Sequence, residues 1–111
     1  MNIENYEIGP RSAWTSTSLQ GYIEASYEDL VKVFGEPICE TSGDGKVDIE
    51  WELEVRDFDF NSVIPITIYN WKDYDGGLTA QTTKDYRWHI GGTSMVAAGY
   101  VADYFNNKLA A

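Results

Sequence analysis

Residues 46–56 read KVDIEWELEVR, in which Asp48, Glu50, Glu52 and Glu54 alternate with Val47, Ile49, Trp51, Leu53 and Val55. Successive side chains of a β-strand point to opposite faces, so this period of two predicts a strand with one wholly apolar face. The other face would carry a straight row of carboxylates, neighbours standing about 6.5–7 Å apart. No other stretch of the chain constrains its fold as strongly, and the purpose of the acidic row becomes the functional question.

The charge is unevenly placed. Eighteen acids against eight bases leave a net charge of −10, and residues 40–59 alone hold eight acids and two bases. Such a balance repels nucleic acid and anionic membrane and favours basic protein surfaces. At 111 residues and 43% apolar content the chain suits one folded domain with one core. Cys39 and His89 each stand alone, which excludes an intrachain disulfide and argues against a Cys/His zinc site. No apolar run approaches membrane-spanning length and no signal segment opens the chain, so the expected setting is a reducing cytoplasm. An exported fragment is left open.

Along the chain, residues 1–18 show no sustained period and read as an extended N-terminal arm, with a short strand near Tyr6 to Ile8. A single domain over 19–111 follows. Leu19 to Ala25 reads as a short strand or as the lead-in to a helix. Ser26 is a candidate N-cap with Asp29 three residues on, and the helix Tyr27–Phe34 stops at Gly35, with Pro37 beyond it. Gly43-Asp44-Gly45 marks a tight turn before the acidic strand, and DFDFNS (57–62) a loop or irregular extension after it. VIPITIYNWK (63–72) reads as a second strand, with Pro65 at an edge or bulge. Leu78 to Asp85 reads as an exposed loop. YRWHI (86–90) alternates as a third strand, Gly91-Gly92 as a sharp turn, and a final helix follows with Met95, Ala98, Ala102, Phe105 and Leu109 as its apolar stripe. The expected fold is α+β: a two-layer sandwich of a three- to four-stranded antiparallel meander, one short helix before it and one longer C-terminal helix.

The stretches GYIEASYEDLVKVFGEP, KVDIEWELEV, ITIYNWKD and WHIGG, in this order, resemble blocks of a group of small tailed-phage proteins of unassigned function. SYEDLVKVFGEP also resembles the opening of domains of the SmpA lipoprotein and β-lactamase-inhibitor-protein type, where a short helix runs into a β-meander. The first resemblance covers roughly residues 20–98 and implies a phage accessory protein acting in the cytoplasm of a bacterial host. It carries no catalytic motif and does not say what is bound. The chain departs from that group in its N-terminal arm and at DFDFNSV.

The acidic row has a plain reading, a solvated strand face partly paired with Lys72 or Arg87, and a functional one, a contact surface for a Lys/Arg-rich groove. Exposed like charges repel, so stability alone gives no reason to collect them. A nucleic-acid-like surface would rest on sign and density, because duplex phosphates rise about 3.4 Å per strand and match at best every second carboxylate. A flat row converges no oxygens on a point, so no metal is expected, and no cofactor. His89 lies on the strand face opposite Trp88, a place more often structural than catalytic; Cys39 has no nearby His to activate it; Gly91-Gly92-Thr93-Ser94 suits a cap and turn better than an anion cradle. Trp51, Tyr69, Trp71, Tyr86 and Trp88 are expected in the core, whereas Trp14, Tyr22 and Tyr74 are candidate exposed anchors.

These residues predict a non-enzymatic acidic binding protein: an anti-defence inhibitor that blocks a basic, nucleic-acid-binding site on a host or defence protein, touching neither nucleic acid nor membrane itself. Its expected contact residues are Asp48, Glu50, Glu52 and Glu54, helped by Asp57, Asp59, Asp73 and Asp75, with Trp14 and Tyr74 as aromatic anchors. Two alternatives stand beside it. One is an oligomeric protein that sequesters a nucleotide-like molecule between aromatics, which would need Arg87, Lys84 and the Gly91-Gly92 segment to gather. The other is a virion or assembly component that self-associates.

Overall fold

The computed structural model describes residues 5–13 and 15–110. Its elements are β1 (Tyr6–Pro10), β2 (Ser18–Ala25), α1 (Tyr27–Phe34), β3 (Glu50–Asp57), β4 (Ser62–Tyr69), α2 (Leu78–Thr82), β5 (Tyr86–Gly92) and α3 (Val96–Ala110). All five strands form one antiparallel sheet in the order β1-β3-β4-β5-β2. The class is α+β, as the periodicities predict, with more strands than the expected meander. The additional pair comes from the N-terminal residues. The segment read as an arm supplies β1, and Leu19 to Ala25 resolves as a strand.

One face of the sheet is the core. Trp51, Leu53 and Val55 of β3 align with Ile68, Ile66 and Ile64 of β4, and onward with Ile90 and Trp88 of β5 and Ile23 of β2. Leu30 of α1 and Ala97, Val101 and Phe105 of α3 close this layer. The two buried indoles meet edge to face at 5.3 Å. Each also places its N–H, Trp51 on the Gly35 carbonyl at 2.8 Å and Trp88 on the Ala25 carbonyl at 3.0 Å. Burying Trp is tolerable only when that donor finds an acceptor. Ser26 caps α1 by accepting from the Asp29 N–H at 3.1 Å, and Gly35 ends it at φ 86°, as the sequence predicts.

Several expectations need correction. The acidic strand begins at Glu50: residues 46–49 are held by scattered backbone bonds from Ser42, Asn70 and Lys72 and by the Asn70 side chain, which do not make a regular ladder. Gly91 and Gly92 are the last residues of β5, not a turn. They are glycine because the sheet is crowded there: a Cβ on Gly92 would lie 2.7 Å from the Ala97 Cβ, and one on Gly91 3.0 Å from the Thr17 hydroxyl. Pro65 occupies a central strand at the one place it can, beyond the end of β5, where β4 keeps only β3 as a neighbour. Leu78–Thr82 is a short helix, with Ala80 buried beneath it. The apolar stripe of α3 runs through Ala97, Tyr100, Val101 and Phe105, leaving Met95 80% exposed ahead of the helix. Among the described residues, no helix is long and apolar enough to cross a membrane.

Candidate functional site

Among the described residues, no helix lies over the other face of the sheet. Residues 11–13 and 15–17 lie between β1 at one edge and β2 at the opposite edge, so the chain crosses that face there. It is fastened on the way. The Arg11 guanidinium donates to the carbonyls of Leu53 (3.2 Å) and Ile66 (2.8 Å) and to the Thr67 hydroxyl (2.8 Å). Ser12 donates both its N–H and its hydroxyl to one carboxylate oxygen of Glu54, at 2.8 and 2.9 Å. Thr17 shares a hydrogen bond with Thr67 at 3.0 Å. Glu54 and Thr67 are buried beneath this strap.

The strap and the neighbouring loops take up much of the acidic row. Glu54 is buried, with Arg56 3.6 Å away, and the Ser12 donors hold its carboxyl below the usual range. Asp48 is buried too, accepting from the Thr41 hydroxyl at 2.9 Å and from Asn70 at 3.1 Å. Asp57 lies on the core face, where Tyr100 donates to it at 2.5 Å and holds its carboxyl low; the same contact pushes the tyrosine up to about 12. Its other oxygen caps the Asp59 and Phe60 N–H groups. Three of the expected contact carboxylates therefore serve the fold: Glu54 beneath the strap, Asp48 against Thr41 and Asn70, and Asp57 against Tyr100 on the core face. Asp73 accepts from Tyr86 at 2.5 Å, and Asp75 binds the N–H groups of Gly77 and Thr79 at the start of α2, so these are structural as well. Asp59 and Tyr74 are exposed; Trp14 lies outside the described residues. Cys39 is exposed.

Glu50 and Glu52 remain on the open face. Both are half-buried, and among the described residues neither has an ion-pair or hydrogen-bonding partner. Burial, then the neighbouring Glu52, raises the Glu50 pKa. Register places Glu50 opposite Tyr69, Tyr69 opposite His89, and His89 opposite Tyr22. The four form a transverse row over β3, β4, β5 and β2, about 14 Å long at ordinary strand spacing. The rings touch: Tyr22 meets His89 at 4.9 Å, Tyr69 meets His89 at 5.4 Å, and Trp71 closes on both Tyr69 and His89 at 6.0 and 5.8 Å. Tyr22 is 50% exposed and Trp71 37% exposed, so Trp71 is not the core residue its strand position suggests. Cations border the rings, with the Arg87 guanidinium 5.3 Å from the Tyr22 ring centre and the Lys46 and Lys72 amines 5.8 and 5.6 Å from that of Trp71.

Sequence reasoning missed this row because its members come from four strands, and only the register unites them. The one signal was the alternation of Arg87 and His89 against Trp88, which put His89 on the face away from the core. His89 carries a consequence of its own. Its Nδ1 is buried without a hydrogen-bond partner among the described residues, and burial lowers its pKa, opposed by Asp73 and aided by Arg87. The folded protein thus binds this proton less readily than the unfolded chain, so stability present above about pH 6.5 is lost as pH falls below it. The melting temperature should drop from pH 7.5 to pH 5.5, and a His89→Phe variant should show a flatter profile over that interval. An unchanged slope would remove His89 from the account.

The fold and face define a class: a five-stranded antiparallel α+β protein whose sheet keeps half of one side open, floored by aromatic rings. No protein-family model, curated protein or solved structure matches this chain.

Proposed function

We propose that this chain is a non-enzymatic binding protein that uses the uncovered half of its sheet to dock onto a basic surface of another protein. The observation that carries the reading is the transverse row, which runs from half-buried Glu50 to exposed Tyr22 with Trp71 against its middle, while Glu50 and Glu52 make no ion pair among the described residues. Aromatic side chains on a nearly flat face supply the area on which interface energy concentrates, and the net charge of −10 steers a basic partner toward it. The resemblance to small tailed-phage proteins points the proposal at a protein of the bacterial host, and the acidic charge at a basic, nucleic-acid-binding site on it.

The test is capture from bacterial lysate on the immobilised protein, washed at low and then high salt, with Tyr22→Ala/Trp71→Ala as the comparison. Support is a set of basic proteins that the double variant fails to retain; equal retention by both would overturn the reading. For a partner so found, reversing Glu50 and Glu52 to Lys should slow association about tenfold or more at low salt and leave the melting temperature close to its original value. An unaltered association rate would remove the two carboxylates from the interface.

A second reading rests on Arg87, Lys46 and Lys72, which gather around the same rings and offer charge beside stacking surfaces, as a nucleotide requires. Glu50 and Glu52 at the other end of the row weigh against a phosphate there. A rise in melting temperature on adding nucleotides, abolished by Arg87→Ala, would favour this alternative over a protein partner.

A further inference from the structure

The outer edge of β3 changes partner along its length. β1 ends where Pro10 pairs with Leu53, the Arg11 N–H follows on the Glu52 carbonyl at 3.2 Å, and the isolated bridge between Ile38 and Glu50 takes over from there. Beside this change of partner lies a notch of about 170 Å³ whose apolar lining is Pro10, Phe34, Ile38 and the nearly fully buried Trp51 and Leu53. Its remaining lining is Glu36, Glu50, Glu52 and Arg11. Arg11 is already committed to the carbonyls of Leu53, Ile66 and Thr15 and to the Thr67 hydroxyl. The three carboxylates make no ion pair among the described residues. Ile38, on the rim, is 43% exposed.

We propose that this notch takes an arginine side chain of the partner protein, its methylene stem against Ile38 and Phe34 and its guanidinium among Glu36, Glu50 and Glu52. An apolar wall ending in carboxylates suits a long cationic side chain, whose stem wants cover and whose head wants charge. Arginine fits better than lysine. Glu50 and Glu52 point to the same side of one strand about 6.5–7 Å apart, a separation that a planar fork of five donors bridges and a compact ammonium does not. No anion suits the site, which holds three negative groups against one occupied positive one. The inference rests on the docking reading above, since it names the chemistry by which the partner is gripped at one end of the face.

The probe is N-acetyl-arginine amide, titrated into the isotopically labelled protein and followed by amide chemical shifts, with N-acetyl-lysine amide in parallel. Expected are saturable shifts at residues 36–38 and 50–53, with arginine binding at least about threefold tighter than lysine. In Glu50→Gln/Glu52→Gln the affinity should fall at least about fivefold, as for a lost charge pair. Ile38→Ser, a change at an exposed position that leaves the fold intact, should weaken binding with no change in charge. Shifts spread equally over distant exposed acids such as Glu28 and Asp85 would show attraction by net charge alone and overturn the notch, as would equal binding by the glutamine variant. Captured basic proteins together with a silent notch would sink this inference only; loss of both would sink the docking reading with it.

Discussion

Replacing Asn70 with alanine lowers stability by about 3 kcal/mol or more, which for a domain of this size moves the melting temperature down by about 10–20 °C. Asn70 is completely buried just after β4, and every hydrogen-bonding position on its amide is occupied. Its carbonyl accepts from the backbone N–H groups of Asp48 and Ile49 at 2.7 and 3.0 Å. Its NH₂ donates to Asp48 at 3.1 Å and to Asp73 at 3.2 Å. Truncation leaves two backbone donors and one oxygen of the buried Asp48 carboxylate without partners, and each orphan costs about 1–3 kcal/mol. Asn70→Asp keeps the shape but sets a third carboxylate against Asp48 and Asp73, so it should fare no better than alanine. Thermal unfolding followed by circular dichroism measures both. A fall of only a few degrees would mean that the segment 46–49 is held by something other than this side chain.

Gly92→Ala is the second large effect, and its sign runs against strand propensity. Alanine is no worse than glycine in a strand, so local preference predicts a neutral or favourable change. Packing decides otherwise: the new methyl would lie 2.7 Å from the Ala97 Cβ and 3.4 Å from the Pro65 carbonyl oxygen, with α3 on one side and β4 on the other. Forcing a helix off a sheet by that much costs about 1–3 kcal/mol. A compensating change separates this cause from others. Ala97→Gly should by itself cost about 1 kcal/mol of helix propensity, yet the double variant Gly92→Ala/Ala97→Gly should be more stable than Gly92→Ala alone. A double variant less stable than either single one would refute close helix–sheet contact as the reason for glycine.

Much of the fold was legible because it follows from short-range periodicity. The alternation around Trp51, the Ser26 cap and the Gly35 stop each depend on residues within one turn or one strand, and each lies where its pattern puts it. The candidate site was less legible. Glu50 and Glu52 were read correctly as lying on the open face, but Glu54 and Asp48 obey the same alternation and are covered by segments from elsewhere in the chain, the strap at Ser12 and the Asn70 side chain. Burial by a distant crossing has no local signature. The same holds for Gly91-Gly92, where a glycine pair signals a turn in isolation and close approach of a helix and a strap in context. Tyr69 and Trp71 look like core residues until the register shows them sharing a face with His89.

The position of the first two strands bears on how the molecule is made. Residues 6–25 leave the ribosome before any of their sheet neighbours exist, yet β1 must wait for β3 and β2 for β5, the last strand synthesised. The nascent N-terminal region therefore stays unpaired for long, β1 with Ile8 until about 50 further residues have emerged and β2 with Leu19, Tyr22 and Ile23 until about 70, and long-range closures of this kind are slow. Its polar punctuation at Arg11, Ser12 and the 15–18 hydroxyls keeps that waiting segment wet, and Arg11, Ser12 and Thr17 become the rivets that fasten it to β3 and β4 of the finished sheet.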